Sequence, residues 1–193
     1  MERTETTHRG ILLFAALLSL AACTSVKLIS DYDEVIDSQA LQLQKKIDSK
    51  LTSLRFAAQY QLEYQANQDF YRDALTDLNA MSVRASAIYQ NQPTLEQIEL
   101  AKTNLAYLVL LNKGCVEAPL SSAQIAQVEA NGIDLSMDCH VENGATSNAS
   151  AKGEQKLNRF VIPPVQALFN QHLGAIMALE LAKKRGDGTA LAK

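Results

Sequence analysis

Asn91-Gln92-Pro93-Thr94-Leu95-Glu96-Gln97-Ile98 is the stretch on which the fold turns. Asn91-Gln92-Pro93 breaks whatever precedes it. Thr94, with Gln97 three positions on, reads as a capping box that opens a helix. Ile98, Ala101, Leu105, Leu108 and Val109 then recur at helical spacing, and Gly114 stands where a C-cap glycine belongs. A helix with one apolar stripe is half of an interface, so the rest of the chain must supply the matching stripes.

Toward the N-terminus two such stripes occur. Ile36, Ala40, Leu43, Ile47, Leu51, Leu54 and Ala58 follow Ser30-Asp31-Tyr32-Asp33-Glu34, with Lys45, Lys46, Asp48 and Lys50 on the opposite face. A second pattern runs through Tyr71, Leu75, Leu78, Met81, Ala85 and Ile88. Neither Gly nor Pro separates them, so one helix over residues 33–89 is the alternative. The stripe loses phase across the polar Gln65–Asp69, where Asn67 or Asp69 offers a cap, and a hairpin is expected there.

Toward the C-terminus the character changes at Cys115. A short helix is expected from Ser121 or Ser122 to Ala130, stopped by Asn131-Gly132, and Asn143–Gly153 is small, polar and low in complexity. The last helical pattern starts near Glu154, and Pro163-Pro164 must break or kink it. It continues through Leu168, His172, Ile176, Leu179 and Lys183. Lys183-Lys184-Arg185-Gly186 forms an electrostatically favourable stop, leaving a flexible tail at 187–193.

The expected fold is all-α: an up-down four-helix bundle over residues 31–186, with an irregular loop between helices 3 and 4. Composition agrees. Of 193 residues 47% are hydrophobic and 20% charged, while 8 Gly and 4 Pro are few for the turns of an all-β protein. A net charge of −3 provides no basic field for nucleic acid.

Residues 1–22 read as an address rather than as fold. Arg3, His8 and Arg9 precede the apolar run Ile11–Leu20, which is signal-peptide length and too short to span a bilayer. Leu20-Ala21-Ala22-Cys23 resembles the lipobox of bacterial lipoproteins. The resemblance implies cleavage before Cys23, lipidation of its sulfur with diacylglycerol, and a membrane anchor made of several acyl chains. With Thr24 rather than Asp after the cysteine, it also implies the outer membrane, facing the periplasm, in a cell with two membranes. Residues 23–30 then form a lipidated tether.

Lipidation of Cys23 leaves Cys115 and Cys139, which an oxidising compartment would pair. That disulfide closes 25 residues and staples the loop, contributing about 3 kcal/mol by loop entropy. The rival is a metal site of Cys115, Cys139, His140 and His172, but neither Cys-x-x-Cys nor His-x-x-x-His occurs. No metal or cofactor is expected.

Other groups have ordinary explanations. Asp31, Asp33, Glu34 and Asp37 suit a helix start better than a calcium loop. His172 lacks the Glu-x-x-His pattern of a di-iron bundle, and Met81 and Met177 fit core packing better than haem ligation. Arg185-Gly186-Asp187 is explained by helix-end chemistry. Tyr60, Tyr64 and Tyr71 share a face if the helix is continuous, which makes them partner-binding candidates; otherwise they lie at the core boundary. No nucleophile elbow, zinc-protease helix or phosphate loop is present, so no catalysis is expected. The expected function is a membrane-anchored lipoprotein that binds or scaffolds another envelope protein. A small-ligand or metal binder within the bundle is the alternative.

Overall fold

The computed structural model describes residues 30–115 and 155–190, together with Ser122 and Ala126; side chains of 187–190 lie outside the description. Among the described residues there are four long helices and no strand: α1 (Glu34–Phe56), α2 (Tyr64–Ser86), α3 (Gln92–Asn112) and α4 (Ile162–Ala190). Ser122 and Ala126 are helical, within the stretch expected to form a short helix, whose other residues lie outside the description.

Cross-helix hydrogen bonds define the topology. Gln44 meets Asn170 and Asp48 meets Gln166, so α1 and α4 are antiparallel. Lys46 pairs with Asp77 and Asp33 with Arg84 across α1 and α2, Ser82 with Glu99 and Tyr71 with Asn112 across α2 and α3. Gln97 reaches His172, and Thr94 reaches Glu180, across α3 and α4. Each helix therefore runs against both neighbours, the up-down order expected from the stripes. α1 packs most extensively on α4 and far less on α2.

The core of α1 is Ile36, Ala40, Leu43, Ile47, Leu51 and Leu54, as its spacing predicts. Asp33 caps it through bonds from the Val35 and Ile36 amides. The hairpin forms, but at 57–63 rather than at Gln65–Asp69. α1 stops at Phe56, a 3₁₀ turn spans Gln59–Leu62, and α2 starts at Tyr64. Ala58 thus lies outside the first stripe. Asn67 is no cap: it is buried inside α2, where its amide donates to the Gln61 and Glu63 carbonyls. A buried side chain that satisfies the preceding turn looks, in sequence, like one that starts a new helix.

Thr94 is a second correction. α3 begins two residues earlier, at Gln92, and Pro93 occupies its first turn, where no amide bond is lost. Thr94 lies fully buried within the helix and bonds across to α4. At the other end of α3, Gly114 takes φ +73°, its amide bonding the Leu111 carbonyl and the Cys115 amide bonding that of Leu110. This is a Schellman cap, and it matches the expectation.

α4 departs most from its sequence reading. Residues 155–158 are not helical, a 3₁₀ turn covers Arg159–Val161, and the α-helix starts at Ile162 with both prolines in its first turn. Its buried residues are Ile162, Val165, Phe169, Leu173, Ile176, Glu180 and Lys183, with Leu168, His172 and Leu179 only half-buried. Ile176 and Lys183 of the expected stripe are buried, while at Leu168, His172 and Leu179 the core place is taken by the residue one position on, Phe169, Leu173 and Glu180. The helix also passes through Gly186 to Ala190, so Lys183–Gly186 is not its stop and the tail expected at 187–193 begins helical.

Candidate interaction surface at the end of the bundle

Antiparallel packing gives the bundle two unlike ends. One end, called the tether end after the role expected of residues 23–30, gathers Ser30, the start of α1, the turn between α2 and α3, and the C-terminal half of α4. The far end gathers the close of α1 and α3 and the start of α2 and α4.

At the tether end a polar network is sealed inside the protein. Glu180 is 0% and Lys183 6% exposed, and the two form an ion pair three residues apart on α4. Lys183 Nζ also donates to Asn91 Oδ1 at 2.6 Å and Thr94 Oγ1 at 2.9 Å. The carboxylate of Glu180 accepts from the Thr94 hydroxyl at 3.1 Å and from the Asp33 amide at 2.9 Å. Ser30 donates to Asn91 Oδ1 at 3.0 Å. Charges this deep are tolerated only when paired and hydrogen-bonded, and here they tie residues 30–33 to α3 and α4. Partial burial pushes the Asp33 carboxyl up, but the Arg84 guanidinium and the Ile36 and Val35 amides hold it, on balance, below the ordinary value. The acidic cluster therefore contributes a helix cap and an ion pair.

At the far end the backbone is held by several bonds. The Tyr64 amide donates to the Gln155 carbonyl at 2.8 Å, and the Leu157 amide to that of Leu62 at 2.9 Å. Asn112 donates to the Leu62 carbonyl and accepts from the Tyr71 hydroxyl at 2.6 Å. Burial raises the Tyr71 phenol far above its usual range, with Tyr64 adding to the effect. Asn158 accepts from the Phe160 amide, and Arg159 donates to the Ala57 carbonyl. On this braced frame Phe56, Tyr60 and Phe160 are 82%, 67% and 88% exposed. A groove of about 370 Å³ lies beside Phe160, lined also by Gln59, Leu62, Lys156, Leu157 and Arg159.

The three tyrosines do not share a face. Tyr64 and Tyr71 are buried and stacked, ring centroids 6.0 Å apart, while Tyr60 sits in the 3₁₀ turn and points outward. The broken helix removes the continuity that would align them. His172 is half-buried against Gln97, its Nδ1 3.1 Å from Oε1, and burial lowers its pKa. Met81 is fully buried core and Met177 packs at its edge. Among the described residues no three or more His, Cys, Asp or Glu cluster as metal ligands. Cys23, Cys139 and His140 lie outside the described residues.

Sequence reasoning missed the Asn91–Thr94–Glu180–Lys183 network and the exposed Phe56 and Phe160. One signal was available: Glu180 and Lys183 continue the spacing of Phe169, Leu173 and Ile176, so a charged pair runs in phase with a core stripe. Comparison with known proteins finds no matching family model, no similar curated protein and no similar solved structure.

Proposed function

We propose that this chain is a lipid-anchored envelope protein whose bundle holds a docking surface away from the membrane and binds another envelope protein, without catalysis. The observation that carries it is the polarity of the bundle. Ser30, seven residues after Cys23, is locked into one end, and three exposed aromatic side chains, Phe56, Tyr60 and Phe160, lie at the other, against Tyr89 among the described residues of the first. A helix of 23 residues such as α1 separates the two by about 35 Å. Leu20-Ala21-Ala22-Cys23 supports the anchor, and the outer membrane is the assignment Thr24 favours. Among the described residues no helix is long and apolar enough to cross a membrane. A bridge from Cys115 to Cys139 belongs to the same proposal, supported by Cys115 being a bonded rather than a titrating sulfur.

Two measurements test it. Labelled palmitate should enter the protein and not its Cys23→Ser variant, which should leave the membrane fraction. A photo-cross-linking residue at position 160 should trap a partner in cells, whereas the same residue at position 89 should not. Absence of label removes the anchor, and absence of a cross-link at the far end removes the binding role.

A further inference from the structure

We infer that the outer face of the last turns of α3 is the seat of the chain that follows it, residues 116–139, with Ile125 and Val128 anchored over Ala106 and Leu110. The inference goes beyond the proposed binding role, from which it takes only the pairing of Cys115 with Cys139. The first support is burial. Over Glu96–Ala101 α3 has one covered face: Ile98 and Ala101 are buried, while Glu96, Glu99 and Leu100 are exposed. From Asn104 to Asn112 every residue except the half-buried Tyr107 is buried. Asn112 faces inward, through its bonds to Leu62 and Tyr71. At about 100° per residue, Leu110 stands roughly 160° and Ala106 roughly 120° away from it. Leu110 is nevertheless 2% exposed, against 44% for the outward Leu100.

Neither Ala106 nor Leu110 belongs to the contiguous apolar core that the four helices share. Among the described elements α2 and α4 are the ones that pack extensively on α3. They approach it from its two flanks, through Ser82–Glu99 on one side and Gln97–His172 on the other. A helix buried all round needs a further neighbour, and small apolar clusters outside the main core lie under long connections.

The second support is connectivity. Gly114 turns the chain with φ +73°, and the Cys115 amide returns to the Leu110 carbonyl at 2.9 Å. The chain therefore leaves α3 alongside Leu110. Residues 1–29 join at Ser30, which is bonded to Asn91, about 28 Å along α3 from Leu110. The sulfur of Cys115 is bonded. Paired with Cys139, it brings residue 139 back to within about 6–7 Å of Cys115, Cα to Cα, and closes a loop of 25 residues based beside Leu110. Ser122 and Ala126, four residues apart, are helical and exposed. On a helix through them, Val128 falls about 140° and Ile125 about 80° from their common direction, the side available to α3.

A double-mutant cycle on the full-length protein, read by urea unfolding, tests this. Leu110→Ala and Ile125→Ala should each raise the unfolding constant by at least about tenfold. Their combination should fall short of the product by at least about threefold, because each removes the other's contact. Leu100→Ala combined with Ile125→Ala should match the product within about twofold. A photo-cross-linking residue at position 125 should link within one chain to residues 103–113. That link is read with Leu110 intact, so it decides the matter even where Leu110→Ala does not fold.

An effect of Leu110→Ala below about twofold overturns the inference, since the face is then open. Effects that multiply for Leu110→Ala with both Ile125→Ala and Val128→Ala overturn it as well. So does a link from position 125 to residues 1–29, to a second copy of the chain or to another protein, because the seat then has a different occupant.

Discussion

Lys183→Met tests the sealed network directly, because methionine matches the lysine stem in length and leaves no cavity to confuse the result. The substitution takes away the three bonds of Nζ, to Asn91, Thr94 and Glu180. Asn91 keeps Ser30 and the Thr94 hydroxyl keeps Glu180, so those two lose little. Glu180 keeps two neutral donors, the Asp33 amide and the Thr94 hydroxyl, and has no cation at 0% exposure. Orphaning one member of a buried pair costs about 3–5 kcal/mol. At about 2–4 °C per kcal/mol for a chain of this size, the melting temperature should fall by about 6–20 °C. Thermal and urea melts followed by far-UV circular dichroism read this out.

Glu180→Gln added to Lys183→Met should restore more than half of the loss. The amide oxygen still accepts from Asp33, and the uncompensated charge is gone. A cost for Lys183→Met below about 1 kcal/mol, the range of exposed pairs, would refute the burial of the network. Further loss in the double variant would refute the charge-based account of it.

Glycine to alanine should act with opposite signs at two positions where an added Cβ meets nothing within 4 Å. Gly114→Ala forces a left-handed residue and should destabilise by about 1–2 kcal/mol, while Gly186→Ala lies within α4 and should stabilise by about 0.5–1 kcal/mol, both measured by urea denaturation. Phe169→Ala should cost about 3–5 kcal/mol and the half-buried Leu168→Ala far less; the reverse order would restore the stripe expected from sequence. Asp33→Ala should cost about 1–2 kcal/mol at neutral pH, through the lost cap and the Arg84 pair. Since the folded carboxyl titrates below 3.8, the wild-type advantage is present above that value and should vanish as pH falls through the lower folded pKa. Melts across an acid series would show two converging curves.

The helices of this protein were legible wherever a single stripe had no rival. Ile36 through Leu54 and Ile98 through Val109 went to the core because the 3.6-residue period and apolar character agree at every step. Gly114 was equally plain, since a left-handed C-cap leaves a local signature. The position of the first hairpin was harder. Gln65–Asp69 is more polar than Ala57–Leu62, and nothing local shows that Asn67 turns inward to bond the preceding turn. The exposed far-end aromatics were legible only as scattered residues, because Phe56 and Phe160 are 104 positions apart and are brought to one end of the bundle by bonds that other residues make.

Sequence alone therefore settled what short-range periodicity can carry: the helical class, the stripes of α1 and α3, and the cap at Gly114. Tertiary structure alone decided the partners of polar groups. Thr94 reads locally as a cap and Lys183 as a helix stop, yet both are buried together because Glu180 and Asn91 arrive from elsewhere to satisfy them. Burial of a charge depends on what faces it across the core, and a one-dimensional pattern holds no record of which helices will face each other.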